Sequence, residues 1–417
     1  MYYNYIIPVL IGIFLLLGER IIFLYNGNAV LVLQWLITIL ALLTVFRTNK
    51  FSKPEGFYYW TIYALCVLFY LCISTFFSQV SVGVIYGFTQ VIFPIFFYIL
   101  VNHSYNLSKS ENLTKVIVFV AILHAIWSSI QVFYKLPENA PSIFRELLIW
   151  DKNIQALYSS SYVLYGRGTG GFINPNELGL WAALCLCWGI YERKSFYKNA
   201  LITSSVISLI NSQSRGSVSA VLVILVLLLI KKILDSKNFR ITNRAFYLIA
   251  LSILTSILVL AYSQFAIIIK DLGDYVGFDR YGSAASILTT GVNADLSFET
   301  RTQVWDEIVR YVNARPFGTL SPPQTVVSFA PDNQYMYNYL QGGIFLLILS
   351  TIPLIVWSKN LYIWMFQRNK DRNAVLGLMT VVLIVNSVSA TPYQYTSFTL
   401  FWMFLAIQRN VGDRSLS

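Results

Sequence analysis

The chain has 417 residues, of which 56% are hydrophobic, 16% aromatic and only 12% charged. A soluble domain carries about 25% charged residues, so a water-soluble fold of this length is excluded, and the wealth of Leu, Ile, Val and aromatic residues excludes a disordered chain. A polytopic membrane protein remains; its formal charge of +11 reads as loop charge facing anionic headgroups, because no basic run interleaved with aromatics suggests a nucleic-acid surface.

The first apolar run, 5–24, lacks a basic leading region and a small-residue cleavage site. It is expected to stay as a membrane helix rather than be removed as a signal peptide. Further runs of roughly 20 apolar residues follow at 29–46, 57–77, 82–101, 114–134, 172–191, 199–213, 216–234, 245–267, 335–358, 374–391 and 394–408. The predicted fold is therefore an all-α polytopic membrane protein with about twelve transmembrane helices. With the N-terminus in the cytoplasm, about 19 of the 30 Lys and Arg residues fall in inner loops and the tail, among them Arg47, Lys53, Lys194, Lys231, Lys359 and Arg409. The short outer connections 78–81 and 391–393 carry none. This positive-inside pattern puts both termini in the cytoplasm.

Two outer loops are long, about 135–171 and 268–334. The chain thus divides into N-terminal helices 1–134, a first loop 135–171, central helices 172–267, a second loop 268–334 and C-terminal helices with a tail, 335–417. Both loops hold aromatic residues and are expected to be ordered. The second contains a helical stretch, with Ser297 as a cap, Val304, Ile308 and Val312 on one face, and Pro316 as its stop. No internal repeat is evident, which weighs against duplicated transporter folds. The spans hold no central Asp, Lys or Arg, whereas ion-coupled transporters use such groups as relays; only His124 lies near the middle of one.

Cys66, Cys72, Cys185 and Cys187 sit inside apolar segments and read as unpaired. His103 and His124 are far apart in sequence and lack a carboxylate cluster. No metal site and no cofactor are expected.

Polar residues collect at the outer helix ends in three clusters. In the first, 165–181, Arg167 stands among Gly166, Gly168, Gly170 and Gly171, ahead of Asn174-Pro175-Asn176. Asn174 or Asn176 can cap the following helix, with Glu177 in its first turn. That explains the asparagines but not Arg167. The second cluster, 211–220, places Arg215 amid Ser212, Gln213, Ser214 and Ser217. Arg215 is either an interfacial snorkelling arginine or a phosphate contact, for which its planar fork of donors is suited. The third sets Arg301 and Trp305 one helical turn apart, ends that helix at Arg315-Pro316-Phe317-Gly318, and enters the next span through Asp332, Asn333 and Tyr335. Asp332 is either an N-cap or a carboxylate that takes a proton from a sugar hydroxyl.

These clusters, in this order over about 165–345, resemble the O-antigen ligase/polymerase superfamily of bacterial membrane glycosyltransferases. Arg167 with Asn174-Pro175-Asn176, Ser214-Arg215-Gly216, Arg301 with Trp305, Pro316-Phe317-Gly318, and Asp332-Asn333-Gln334-Tyr335 with Gly342-Gly343 carry the resemblance. It implies a GT-C-like fold in the bacterial inner membrane with a periplasmic active site. It implies undecaprenyl-pyrophosphate-linked glycans and membrane lipids as partners, a polysaccharide chain-length regulator beside them, and inverting transfer without a metal. Ligases of the family carry a histidine where this chain has Asp332, so the resemblance points first to a repeat-unit (Wzy-type) polymerase. A ligase, a protein O-oligosaccharyltransferase or, further off, a glycan transporter are the alternatives. On this reading Arg215 and Arg301 stabilise the leaving pyrophosphate and Asp332 activates the acceptor hydroxyl. Arg167, Asn176, Trp305, Arg315, Asn333 and Tyr335 bind substrate.

Overall fold

A chain in lipid must satisfy its backbone N–H and C=O groups internally, so its apolar runs form helices. The computed structural model describes residues 3–17, 22–25, 28–48, 53–77, 91–107, 110–133, 167–172, 174–235, 296–323, 326–328, 331–366 and 371–414. Its helices are α1 (Tyr3–Leu17), α2 (Val32–Thr48), α3 (Phe57–Phe77), α4 (Phe93–Leu107), α5 (Ser110–Phe133) and α6 (Pro175–Tyr191). They continue with α7 (Ser195–Ser212), α8 (Arg215–Asp235), α9 (Leu296–Ala314), α10 (Gln334–Phe366), α11 (Asp371–Ser389) and α12 (Thr399–Arg414). Eleven of these lie on expected spans, and α9 is the helix expected in the second long loop. The expected span 245–267, most of the first long loop and residues 268–295 of the second lie outside the described residues.

Two departures are local. Residues 22–25 and 28–31 form an antiparallel hairpin, β1 and β2, pairing Ile22 with Leu31 and Tyr25 with Asn28. The expected first two spans lose their facing ends to it, and the fold is not purely helical. The intervening sequence, Asn26-Gly27, is of the type favoured in two-residue hairpin connections. The last expected span begins instead with two 3-10 turns, Pro392–Gln394 and Thr396–Phe398, before α12.

Three helical segments, Phe57–Phe76, Asn112–Val132 and Gln334–Phe366, are long and apolar enough to cross a membrane. Five shorter apolar helices accompany them. Phe46, Phe69, Phe76, Phe119 and Ile355 point outward, an apolar surface suited to lipid rather than water. α6 is the central helix, buried from Glu177 to Gly189 and packed against α7, α8 and α11. Small residues permit the close approach: a Cβ on Gly179 would crowd Ser214 and Ser217 of α8 and its entry, and one on Gly216 would strike Ser389 of α11.

Lys359 and Lys231 lie toward one end of the bundle. There Lys359 pairs with Glu55, Lys231 donates to the Met365 carbonyl (3.3 Å), and Tyr191 meets Trp364. The N-termini of α6, α8 and α10 lie at the other end.

α10 is broken at Gly342 (φ −146°, ψ 24°) and Gly343 (φ 65°, ψ −163°). The carbonyls of Leu340 and Gln341 accept instead from the Thr319 and Leu320 amides (2.9 and 2.8 Å). The limbs form a V, and Tyr393 bridges them: its amide donates to Gln334 Oε1 (3.1 Å) and its hydroxyl to the Ser350 carbonyl (3.1 Å). Burial, and then the phenols of Tyr63 and Tyr335, push the Tyr393 hydroxyl well above its usual range, so it stays a donor. The long limb, 344–366, spans roughly 34 Å at about 1.5 Å per residue, against roughly 26 Å for the 17 residues of α6. The half-helix Gln334–Gln341 is thus set apart from the long limb at the break.

Candidate functional site

The site is assembled from the loop before α6, the α7–α8 junction, the end of α11 and the start of α10. Loop residues 167–172 are held by side chains of α5. Gln131 Oε1 accepts from the Thr169 and Gly170 amides (2.8 and 2.9 Å). His124 Nδ1 accepts from the Gly171 amide (3.1 Å), so its Nε2 carries the proton and donates to the Leu15 carbonyl (3.1 Å). The imidazole also stacks on Phe172, with centroids 4.4 Å apart. Gly168 donates to the Asn211 carbonyl (2.8 Å), and Asn211 Nδ2 donates to Ser128 and Ser129 (3.0 Å each). The loop is thus a fixed platform.

Arg167 leaves that platform buried and bonds to three protein groups. Its Nε donates to the Ser212 carbonyl (2.9 Å), and its Nη2 to Asn176 Oδ1 (3.0 Å) and the Gln213 carbonyl (3.5 Å). It therefore clamps the C-terminal end of α7, where Gln213 is left-handed (φ 48°), to the first turn of α6. Asn174 caps α6 by accepting from the Asn176 amide (2.9 Å) and donates to the Tyr395 hydroxyl (3.4 Å). Buried Glu177 accepts from the Ser397 amide (2.9 Å), tying the second 3-10 turn to the same place.

Arg215 is the first residue of α8 and half-buried. The residues beside it contact the last turns of α11: Ser217 donates to Asn386 Oδ1 (2.8 Å), and Gly216 abuts Ser389. The start of α10 meets that same stretch. Asn333 Nδ2 donates to the Val388 carbonyl (2.9 Å), and the Gln334 amide to the Ala390 carbonyl (3.0 Å). Asn333, not Asp332, is the cap: its Oδ1 accepts from the amides of Tyr335 (2.9 Å) and Met336 (3.1 Å). Asp332 is exposed at the rim. Asn333→Ala is expected to lower the unfolding free energy by about 1–2 kcal/mol, and Asp332→Ala to leave it within about 0.5 kcal/mol. Thermal unfolding of the two variants in detergent checks this, and equal shifts would contradict the assignment of the cap.

The remaining candidates are less central. Arg301 is half-buried on α9, one turn before Trp305. Trp305 packs with Met336 and Tyr339 around Ile308, Val312 and Leu340, which docks α9 on the half-helix of α10. Tyr335 donates to the Ile384 carbonyl (3.3 Å) and so lies along α11. Arg315 is exposed, folded over the Tyr311 ring (4.9 Å to its centroid) and donating to its hydroxyl (2.8 Å). The structure thus brings the starts of α8 and α10, which carry Arg215, Asp332 and Asn333, to the end of α11; Tyr335 bonds along α11, Arg167 joins Asn176 of α6 to the α7–α8 junction, and Arg301 and Trp305 lie on a helix docked on α10. Gln131, Asn386 and Ser389 are supporting residues outside the sequence motifs; His124 reads from sequence only as a mid-span ionisable group and Glu177 only as a first-turn acid. Polar side chains buried in otherwise apolar spans were their signal. All four cysteines are free, and among the described residues no cluster of His, Cys, Asp and Glu could hold a metal ion.

A family model for O-antigen ligase matches residues 200–351. That region takes in Arg215, Arg301, Asp332 and the break in α10. The chain is also 24% identical over 391 residues to the ComP-specific O-oligosaccharyltransferase of Acinetobacter baylyi. That match covers 87% of this chain but 63% of the relative's length, less than two thirds of it. The apolar helices and the matched family together make this a multi-pass membrane protein. The ordered motifs and these two matches make the chain similar to the O-antigen ligase superfamily, with the family model covering its central region, 200–351.

Proposed function

We propose that this protein is a membrane glycosyltransferase that polymerises undecaprenyl-pyrophosphate-linked repeat units in the bacterial inner membrane. The observation that carries the reading is that the start of α8, at Gly216 and Ser217, and the start of α10, at Asn333 and Gln334, both meet the last turns of α11, with Arg167 bonded to the end of α7 just before α8. The basic end of the bundle faces the cytoplasm, and the site opens to the periplasm beside the membrane surface, where a lipid pyrophosphate lies.

The chemistry follows from the groups present. The bond broken joins the anomeric carbon to the pyrophosphate oxygen, and the bond formed joins that carbon to the acceptor hydroxyl. Negative charge grows on the leaving pyrophosphate. Arg215 at the N-terminus of α8, with Arg301, stabilises it, aided by the positive ends of α6 and α8. Arg167 holds the α7–α8 junction so that Arg215 meets the phosphate at a fixed place. Asp332 accepts the proton of the attacking hydroxyl. Asn176, Asn333, Trp305 and Tyr335 complete the glycan path, and a chain-length regulator is the expected protein partner.

A second reading, transfer of a finished glycan to a lipid or protein hydroxyl, is favoured by the oligosaccharyltransferase relative. Deleting the gene in its host and resolving the surface polysaccharide and glycoproteins separates the two. Loss of a polymerase leaves single repeat units attached. Loss of a ligase leaves none attached, and loss of a protein transferase changes only the glycoproteins. Unchanged polysaccharide and unchanged glycoproteins would sink both readings.

A further inference from the structure

Arg315, one of the substrate-binding candidates, lies with Pro316 and Phe317 on an exposed corner that the proposed reaction does not use. Phe317 is 68% exposed, and Arg315 and Pro316 are exposed beside it. The corner's position is set by the broken helix. The Pro316 carbonyl lies so close to Gly343 that a Cβ there would collide with it, and the Phe317 Cα stands 3.9 Å from the same point. Directly after Gly343 come Ile344 (59% exposed) and Phe345 (52%), the first outward-facing apolar residues of the long limb. Ile348 and Ile355 continue that outward face. Phe317 is thus continuous with the apolar band of α10, at its upper edge.

The chemistry changes sharply across this edge. One turn back on α9, Tyr311 carries Arg315 folded over its ring and bonded to its hydroxyl. That arrangement presents the remaining guanidinium donors outward, just above an apolar side chain. An aromatic–arginine pair above a buried apolar residue is the composition of a membrane–water interface. The side of α9 bearing Ile308 and Val312 is already docked on Leu340, so the corner's outward face is left to whatever surrounds α10.

We propose that the Tyr311–Phe317 corner is a bilayer anchor. Pro316 and Phe317 enter the acyl boundary of the outer leaflet, and Arg315, held on Tyr311, binds the phosphate of a phospholipid headgroup. The anchor fixes the C-terminal end of α9 at the membrane surface and, through the helix, the height of Arg301. It rests on the membrane character of the chain and is independent of which glycan acceptor is used.

The test uses the full chain in vesicles of phosphatidylcholine and phosphatidylglycerol. Cys66 and Cys72 are replaced by serine, and the fully buried Cys185 and Cys187 are kept. A nitroxide is then placed at Phe317→Cys, with Ile344→Cys as a lipid-facing reference and Asn313→Cys, exposed on α9, as an aqueous one. The ratio of collision with oxygen to collision with a water-soluble nickel chelate is expected to be several-fold higher at 317 than at 313, and close to that at 344. Equal ratios at 317 and 313 overturn the anchor. Adding Arg315→Gln is expected to lower the ratio at 317 by about half, as the corner rises; an unchanged ratio overturns the phosphate contact. Asn313→Cys and Ile344→Cys do not disturb the corner, so their ratios also show whether the helix and the limb are folded.

Discussion

Arg215→Ala is expected to slow glycan transfer by about 10²–10³-fold, the usual loss when one preorganised donor to developing charge is removed. Its position explains the size of the effect. It begins α8, where the helix dipole adds to its own charge, and its neighbours Ser217 and Gly216 are pinned to Asn386 and Ser389 of α11. The guanidinium is therefore placed before substrate arrives and needs little reorganisation. Arg215→Lys keeps the charge but loses the planar fork, so it is expected to recover only a small part of the rate. The measurement is transfer from a lipid-linked donor by purified protein in vesicles. The loss should fall on kcat more than on KM, with thermal unfolding close to the parent's. Full activity in the alanine variant would place the leaving-group chemistry elsewhere.

Gly343→Ala is expected to cost about 2–6 kcal/mol of folding stability, from backbone strain of about 1–3 kcal/mol and overpacking of about 1–3 kcal/mol. Gly343 has φ 65° and ψ −163°, a region that only glycine occupies freely. A Cβ there would also strike the Pro316 carbonyl, which is backbone and cannot step aside. The loss is comparable to the whole stability of many domains, about 5–15 kcal/mol, so low yield of folded protein is the expected first sign. Gly342→Ala is the matched control. Its φ of −146° is open to any residue, so a Cβ there would crowd the Tyr70 ring and Leu346 without adding backbone strain. Gly342→Ala should therefore cost clearly less in thermal unfolding. Equal losses at the two positions would mean that strain does not set the shape of the joint. Because Thr319 and Leu320 bond to Leu340 and Gln341 at that joint, Pro316-Phe317-Gly318 and Gly342-Gly343 form one structural unit, although they lie far apart as motifs.

Most spans were legible in hydropathy because lipid leaves an apolar run few ways to satisfy its backbone. The hairpin at 22–31 was not, since its apolar strands are absorbed into two adjacent helix-length windows; Asn26-Gly27 was the overlooked signal. The 3-10 turns at 392–398 were hidden for the same reason. In the site, Asn174-Pro175-Asn176 announced a capped helix, and the structure shows Asn174 as the cap. At 332–333 two adjacent residues could each cap, and backbone direction gives the task to Asn333.

The sequence by itself determined that this is a helical membrane protein and marked a few outer polar clusters as its candidate functional residues. Composition and periodicity suffice there, because burial in lipid is a property of each segment separately. Only the tertiary structure decided what each cluster does. Arg167 and Arg215 look alike in sequence, each beside serines or glycines. Folding buries Arg167 against the Ser212 carbonyl and Asn176, while Arg215 heads a helix pinned to α11. Likewise Gln131 grips a loop 38 residues away, and Glu177 a turn 220 residues away. Such partners are chosen by geometry across the bundle, where a buried polar group must find a hydrogen bond wherever the fold puts one, and no local pattern records that choice.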